Sequence, residues 1–254
     1  MALKVILVDD EPSSASATAR LLGHLGCEVS VCTDATSAVE VALAEDVDLV
    51  CLDIQMPGLD GFEVLSLIRS HEHTRRTASV PVMAITGKVA PEQRAEALGA
   101  GFAAQVDKPV RLDALQRSLR LVSMLRGELT RTRYAADADA VIARLDSSLQ
   151  GSDQSRLQSA AVLAMLVEQQ GRTLLTRALQ DAYTGNDAHA ASHVDVLVAL
   201  SDAIGAAKLA AHCRSFGRAL PGGRTAFEVE AVLLRAELDR VIYTLREQVL
   251  PARP

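Results

Sequence analysis

Short apolar runs alternate with amphipathic stretches through the first half of the chain. The runs are almost continuously apolar, which is typical of strands buried on both faces of a parallel sheet. The five predicted strands are LKVILV (3–8), EVSVC (28–32), DLVCL (48–52), VPVMAIT (80–86) and AAQV (103–106). Helices are predicted over 12–24, 35–45, 61–70 and 90–98, with another from about residue 110. This pattern predicts a doubly wound α/β domain, whose ligand site lies at the carboxyl ends of the strands.

The second half, from about residue 127, has no comparable strand. Amphipathic stretches predict helices over 154–183, 188–204, 206–219 and 225–249. Turn residues at 185–187 and 221–223 separate some of them, and long helices with short connections favour an all-α four-helix bundle. The helix from about 110 continues with Leu at three- and four-residue steps. It is either a rigid connector or half of a coiled-coil dimer seam, so a homodimer is possible.

Composition sets broad limits on the function. The 254 residues have a formal charge of −6 and a pI near 5.5, which argues against nucleic acid as a partner. The Arg-rich stretch 111–133 alternates with Leu, as an ordinary helix surface does. Aromatic residues make up only 3%, so Ala, Leu and Val must form the core. We divide the chain into a first domain over 1–122, a helical connector over 123–139 and a helical bundle over 140–254.

The four cysteines have no spacing typical of zinc or disulfide frameworks. They are Cys27, Cys32, Cys51 and Cys213, and we expect most of them to be small buried core residues. The N-terminus reaches acidic residues after a few apolar ones, and no window of 18 apolar residues follows. We therefore expect a soluble, cytoplasmic protein without a membrane partner.

Candidate catalytic residues lie where the predicted strands end. Asp9 and Asp10 follow the first strand, Asp53 follows the third, Thr86 ends the fourth and Lys108 follows the fifth. These positions share one edge of a parallel sheet, where three carboxylates repel one another unless a cation joins them. Mg²⁺ suits a site of few carboxylates plus phosphate. A carboxylate can accept a phosphoryl group, and a lysine ammonium can stabilise the charge on its oxygens.

These segments together resemble the receiver domain of two-component response regulators. The matching segments are VILVDDEP, DLVCLDIQMPGLDG, PVMAITG and GFAAQVDKPV. The resemblance covers residues 1 to about 122 and implies a flavodoxin-like fold with strand order 2-1-3-4-5. It implies that Asp53 is the phosphoacceptor, that Asp10 is a direct Mg²⁺ ligand, that Asp9 holds the ion through water, and that the Gln55 backbone carbonyl is a further ligand.

The same resemblance assigns the remaining residues of the site. Thr86 corresponds to the switch hydroxyl and Lys108 to the ammonium that pairs with the phosphoryl group, and a cis bond is expected before Pro109. The family usually has Tyr or Phe three residues before this lysine, where this chain has Gln105. An amide cannot swing a ring between buried and exposed positions, so we expect the output-face response to differ.

Residues 140–250 resemble a histidine-phosphotransfer domain in overall pattern. Counting back from Gly205 places the usual phosphorylated histidine at Asp195, which has no nucleophilic nitrogen. An apolar stripe on the same helix supports this register and leaves Asp195 on the exposed face. The stripe is Ala190, Val194, Leu197, Ser201 and Ile204, and the exposed face is Ser192, Asp195, Ala199 and Asp202. We interpret this half as a degenerate phosphotransfer fold used for binding.

The resemblance implies a response regulator rather than an enzyme with a separate substrate. Its partners would be a sensor histidine kinase or phosphotransfer protein and a downstream protein target. Two alternatives remain open. The helical half could relay phosphoryl groups through His189, His193 or His212, or it could act as a phosphatase on a partner receiver, with Asp195 or Asp202 orienting water.

Overall fold

The chain divides into two units, Met1–Thr132 and Arg133–Pro254. A computed structural model describes residues 2–34, 37, 39–41, 47–75, 80–87, 90–131 and 153–249. Each unit is described by itself.

The first unit contains a five-stranded parallel sheet. Its order is β2-β1-β3-β4-β5, as the sequence predicts. The strands are β1 (Leu3–Val8), β2 (Cys27–Cys32), β3 (Leu49–Asp53), β4 (Val82–Thr86) and β5 (Ala104–Asp107). All residues of β3 and β4 are buried, because helices cover both faces of a parallel sheet. The predicted doubly wound α/β fold is therefore confirmed.

Four strands differ from their predicted bounds by one or two residues, and two of the differences concern the site. Strand β3 includes Asp53, which pairs with Ile85, so this residue ends the strand rather than follows it. Strand β5 extends to Asp107, which pairs with Thr86 and brings Lys108 directly to the sheet edge. Strand β4 begins after Pro81, because proline has no N–H for the ladder.

Four described helices flank the sheet. They are α1 (Pro12–His24), α2 (Gly61–Arg75), α3 (Pro91–Ala100) and α4 (Leu112–Arg131). Helices α1 and α3 begin at proline, whose fixed φ suits a first helical position. Most of the predicted helix over 35–45 lies outside the described residues. Helix α4 continues past residue 122 as predicted and buries Leu115, Leu119 and Val122. Its side chains beyond residue 123 are not described, and neither is the rest of the predicted connector.

The described part of the second unit is helical, as predicted. Its helices are α5 (Asp153–Tyr183), α6 (Asp187–Ala203), α7 (Ala207–Ala219) and α8 (Arg224–Val249), with a 3₁₀ turn at Leu220–Gly222. Each helix packs on the next, and α8 also packs on α5, which closes a four-helix bundle. Tyr183 packs edge-on against Phe227 and donates a hydrogen bond to Glu228 over 2.6 Å. A partly buried polar contact therefore also joins α5 and α8.

Helix α6 follows the predicted apolar stripe. All five predicted stripe residues are buried, and the four predicted surface residues, Asp195 among them, are exposed. The predicted orientation of α6 is thus confirmed, because a stripe at three- and four-residue steps faces the core of a bundle.

Three of the four cysteines are buried and Cys27 is half-buried, so the expectation that most of them are buried is confirmed. Burial raises the pKa of the Cys213 thiol to about 11 and that of Cys51 above its ordinary range. These two thiols are therefore uncharged near neutral pH, as expected of core residues. Among the described residues, no helix combines the length and apolar character that crossing a membrane requires.

Candidate functional site

Three carboxylates meet at the carboxyl edge of the sheet. Asp9 and Asp10 follow β1, and Asp53 ends the neighbouring strand β3. Each offers an oxygen atom, and these oxygens lie within 4.8 Å of one another. Asp9 and Asp53 are only 1% and 5% exposed, whereas Asp10 is exposed. Such a set of hard oxygen donors could hold a divalent cation.

Lys108 joins two of these carboxylates. Its Nζ lies 2.6 Å from Asp53 Oδ2 and 2.8 Å from Asp9 Oδ2. Burial on its own would lower the pKa of Lys108, but its hydrogen bonds and charge attraction to Asp53 and Asp9 raise the pKa overall. Lys108 is therefore cationic at neutral pH, and it offsets one of the three negative charges.

Backbone geometry holds Asp53 in place. The Gln55 amide donates a hydrogen bond to Asp53 Oδ1 over 3.0 Å. The Gly61 amide donates to the Ile54 carbonyl over 2.9 Å. A Cβ on Gly61 would lie 2.7 Å from both the Asp53 carbonyl oxygen and the Ile54 Cα. Glycine is thus needed where α2 begins, because the chain passes so close to the backbone of the acidic residue.

Asp9 is held by three donors. Its Oδ1 accepts a hydrogen bond from the Glu11 amide over 3.0 Å. Its Oδ2 accepts one from Ser14 Oγ over 2.7 Å, in addition to the contact with Lys108. Ser14 was not predicted from the sequence, because a serine in the first turn of a helix ordinarily faces water or caps the helix.

The fourth and fifth strands end beside the acidic residues. Thr86 is 1% exposed, and its carbonyl accepts a hydrogen bond from the Lys108 amide over 2.6 Å. The peptide bond between Lys108 and Pro109 is cis, as the resemblance implies. The structure therefore brings Asp9, Asp10, Asp53 and Lys108 together, and it places Thr86 at the same edge.

Gln105 lies two residues before Asp107 on β5. Its amide nitrogen and oxygen are both buried and have no hydrogen-bond partner among the described residues. Asp107, on the same face of the strand, receives Arg94 Nη2 on both carboxylate oxygens, over 2.6 and 2.7 Å. This ion pair between α3 and β5 was not predicted from the sequence, since oppositely charged residues 13 positions apart are common in any chain.

The histidines of the helical unit have ordinary structural surroundings. His189 is exposed, and its Nδ1 lies 2.7 Å from Asn186 Nδ2. His193 Nε2 lies 3.3 Å from Asp181 Oδ2. His212 is partly buried, and burial lowers its pKa, although the charge of Glu237 opposes that shift. Asp195 faces solvent on α6 at the position that the resemblance assigns to a phosphorylated histidine.

A family model and several known proteins match part of this chain. A family model for the response regulator receiver domain matches residues 5–120. The transcriptional regulatory protein TcrA of Mycobacterium tuberculosis is 34% identical over 146 residues, which are 58% of this chain and 54% of TcrA. The histidine-protein kinase BarA of Shigella flexneri is 34% identical over 119 residues, 47% of this chain and 13% of BarA.

A solved receiver domain gives a further comparison. It belongs to the sensor histidine kinase PA1611 of Pseudomonas aeruginosa PAO1 and is described with a magnesium ion coordinated in its active site cleft. It is 30% identical, covers 48% of this chain and 99% of that chain, and has a TM-score of 0.43. This chain spans about half of TcrA and a much smaller share of BarA. With the sheet order and the family match, residues 5–120 form a receiver domain of two-component signalling.

Proposed function

We propose that the protein is a response regulator that is phosphorylated on Asp53 with Mg²⁺, and that its phosphorylation state controls the helical unit as a protein-interaction domain. The observation that carries the proposal is the contact of Lys108 with both Asp53 and Asp9 inside a cluster of three carboxylates. A sensor histidine kinase or a phosphotransfer protein would donate the phosphoryl group, and a downstream protein would bind the output surface.

The charge of the cluster supports a bound cation. Within the part of the chain that the structure describes, one ammonium contacts two of the three clustered carboxylates, which leaves two negative charges to be offset. Mg²⁺ prefers oxygen ligands and retains some water, so Asp10, Asp53 and the Gln55 carbonyl would hold it while Asp9 binds through water. When bound, the ion supplies positive charge to the oxygens of the phosphoryl group.

The chemistry assigned to this site is transfer to a carboxylate oxygen. An Asp53 oxygen forms a bond to phosphorus while the bond from phosphorus to the donor nitrogen breaks, and that nitrogen keeps the electron pair. Lys108 then pairs its ammonium with the new phosphoryl oxygens, since it already lies 2.6 Å from Asp53 Oδ2. The Thr86 hydroxyl is assigned to donate a hydrogen bond to the same group and so to couple the site to β4.

Signalling would follow from the movement of Lys108 and Thr86. Lys108 follows Asp107, which is tied to Arg94 on α3, so a displacement at the end of β5 reaches that helix through the ion pair. Gln105 cannot provide the aromatic switch of the family. Because of the Arg94–Asp107 ion pair and the missing aromatic residue, we assign the output response to α3 and β5. Phosphorylation would shift a pre-existing equilibrium between two conformations of the first unit.

The helical unit fits a binding role better than a relay role. Asp195 is exposed where a relay histidine would stand, and its carboxylate repels an incoming acyl phosphate. His193 lies near Asp181, and His212 is partly buried, which limits the approach of a second protein to either ring. The proposal includes no enzymatic activity beyond phosphorylation and dephosphorylation of the chain itself.

Phosphorylation of Asp53 can be tested with acetyl phosphate or a broad-specificity kinase. We expect the full chain to gain one phosphoryl group in the presence of Mg²⁺, and Asp53→Ala to gain none, by intact mass and by acid-urea gel. Asp60→Ala serves as the control, because this aspartate lies nearby but outside the cluster. Label retained on Asp53→Ala would disprove the acceptor assignment.

The same Asp53→Ala protein separates the relay alternative. A kinase or phosphotransfer donor that labels a histidine of the helical unit would leave acid-labile phosphate on this variant. We expect no such label. The phosphatase alternative is tested with a phosphorylated partner receiver, whose loss of label should be the same with wild type and with Asp195→Ala.

A further inference from the structure

We infer that Ser14 is a positioning residue of the cation site, and that its hydroxyl keeps Asp9 oriented when Lys108 moves to a phosphoryl group. This inference rests on the proposed Mg²⁺ site. It assigns a role to a residue of α1 that neither the sequence motifs nor the comparisons single out.

The geometry of Asp9 carries the inference. This carboxylate is 1% exposed, so protein groups must supply its hydrogen bonds. The Glu11 amide satisfies Oδ1 over 3.0 Å, whereas Oδ2 receives Ser14 Oγ over 2.7 Å and Lys108 Nζ over 2.8 Å. Among the described contacts, Oδ2 is therefore shared between a fixed donor on a helix and a cationic side chain that also contacts Asp53.

The two donors on Oδ2 differ in what happens to them during signalling. Lys108 is shared with Asp53 Oδ2 at 2.6 Å, and a phosphoryl group on Asp53 would draw the ammonium toward its own oxygens. Asp9 Oδ2 would then keep a protein donor only through Ser14. A buried carboxylate oxygen without any donor raises the free energy of the folded state, so the carboxylate would rotate to find one. The Ser14 hydroxyl prevents this rotation and keeps Asp9 oriented to hold the ion through water.

Groups that orient the ligands of a metal commonly change its affinity by 10- to 100-fold, although they do not touch it. Ser14 would act in this indirect way, because its hydroxyl binds Asp9 and would not itself touch the ion. We therefore expect Ser14→Ala to weaken Mg²⁺ binding by roughly 10-fold, the lower end of that range.

The experiment compares Mg²⁺ affinity by isothermal titration calorimetry across matched variants of the full chain. Ser14→Thr keeps the hydroxyl and should bind Mg²⁺ within about twofold of wild type. Ser14→Val has nearly the shape of the Thr variant but no hydroxyl, so it should weaken Mg²⁺ binding as Ser14→Ala does. Ser13→Ala is the neighbouring control, because Ser13 Oγ donates to the exposed Glu11 rather than to Asp9. Thermal unfolding without Mg²⁺ confirms that each variant is folded.

The outcomes separate this inference from the proposed function. Unchanged affinity in Ser14→Val, or equal losses in the Thr and Val variants, would overturn the role of the hydroxyl while the Mg²⁺ site itself stands. A wild-type protein that takes up no Mg²⁺ would overturn the proposed site together with this inference.

A second titration adds beryllofluoride, a mimic of the phosphoryl group. The difference in Mg²⁺ affinity between the Thr and Val variants should then increase, because Lys108 is drawn away from Asp9. A gap that stays the same or narrows would overturn the assignment of Ser14 to the step in which Lys108 moves.

Discussion

At the scale of single residues, the described part of the first unit contains one buried side chain, that of Gln105, whose polar atoms make no hydrogen bond. The Gln105 amide has neither a donor nor an acceptor partner among the described residues, although both polar atoms are buried. Its neighbours along β5, Ala104 and Val106, are buried and apolar. An unsatisfied amide in such a place reduces stability, because its bonds to water are lost and not replaced.

We expect Gln105→Leu to raise the free energy of unfolding by about 1 kcal/mol, since it removes the unsatisfied amide at similar volume. Urea unfolding followed by circular dichroism measures this change. Gln116→Leu, on the outer surface of α4, is the control and should shift the midpoint little. A lower free energy of unfolding in Gln105→Leu would mean that the Gln105 amide stabilises the folded protein.

Several residue roles could be predicted from the sequence because each depends on a position along one strand. Asp53 and Lys108 lie where buried apolar runs end, so their meeting follows from the parallel topology. Ser14 and the Arg94–Asp107 pair could not be predicted in this way. Their contacts depend on the rotation of α1 and α3 against the sheet, which the spacing of apolar residues fixes only coarsely.

At the scale of elements, the start of α2 passes unusually close to β3. The backbone of Gly61 leaves no room for a side chain next to Asp53 and Ile54. Both neighbours are backbone atoms of the strand end, which cannot move without displacing the acidic residue. Glycine here sets the distance between the helix and the candidate site.

Gly61→Ala should therefore destabilise the first unit by about 1–3 kcal/mol, the usual cost of overpacking. Gly23→Ala, within α1, is the matched control. Nothing lies within 4 Å of a Cβ at Gly23, and alanine should stabilise that helix by about 0.5–1 kcal/mol. Chemical unfolding of both variants gives the comparison, and equal effects of the two substitutions would contradict the close approach.

The elements of the helical unit were predicted within one or two residues, because turns at Gly185 and at 221–223 separate strongly periodic segments. The orientation of α6 was predicted for the same reason. The ion pair between α5 and α8 was not predicted, since Arg172 and Asp239 meet across a large sequence separation.

At the scale of the whole molecule, the two units differ in their optical and titration properties. The chain has no Trp, and its three tyrosines, at positions 134, 183 and 243, all lie beyond Thr132. Tyrosine fluorescence therefore reports on the second unit alone. The same unit contains His212, whose pKa is lowered by burial.

The lowered pKa of His212 predicts that acid reduces the stability of the second unit. His212 has a lower pKa folded than unfolded, so the unfolded chain binds the proton first as the pH falls below about 6.5. The stability that neutral His212 contributes is complete above that pH and decreases toward its folded pKa. We expect the tyrosine-detected melting temperature to fall between pH 7 and pH 5, and to fall less in His212→Gln. His189→Gln, at an exposed site, should behave as wild type, and an equal fall in His212→Gln would contradict the assignment.

The acidic edge of the sheet also links metal to folding. Asp9 and Asp10 follow β1 and Asp53 ends β3, so all three carboxylates meet only after these two strands have paired, and the unfolded chain has no equivalent cluster. A cation that binds this edge must then favour the native state, by about 2.7 kcal/mol at a concentration one hundred times its Kd. At the proposed Mg²⁺ site, chelation would therefore lower the resistance of the first unit to heat and proteases.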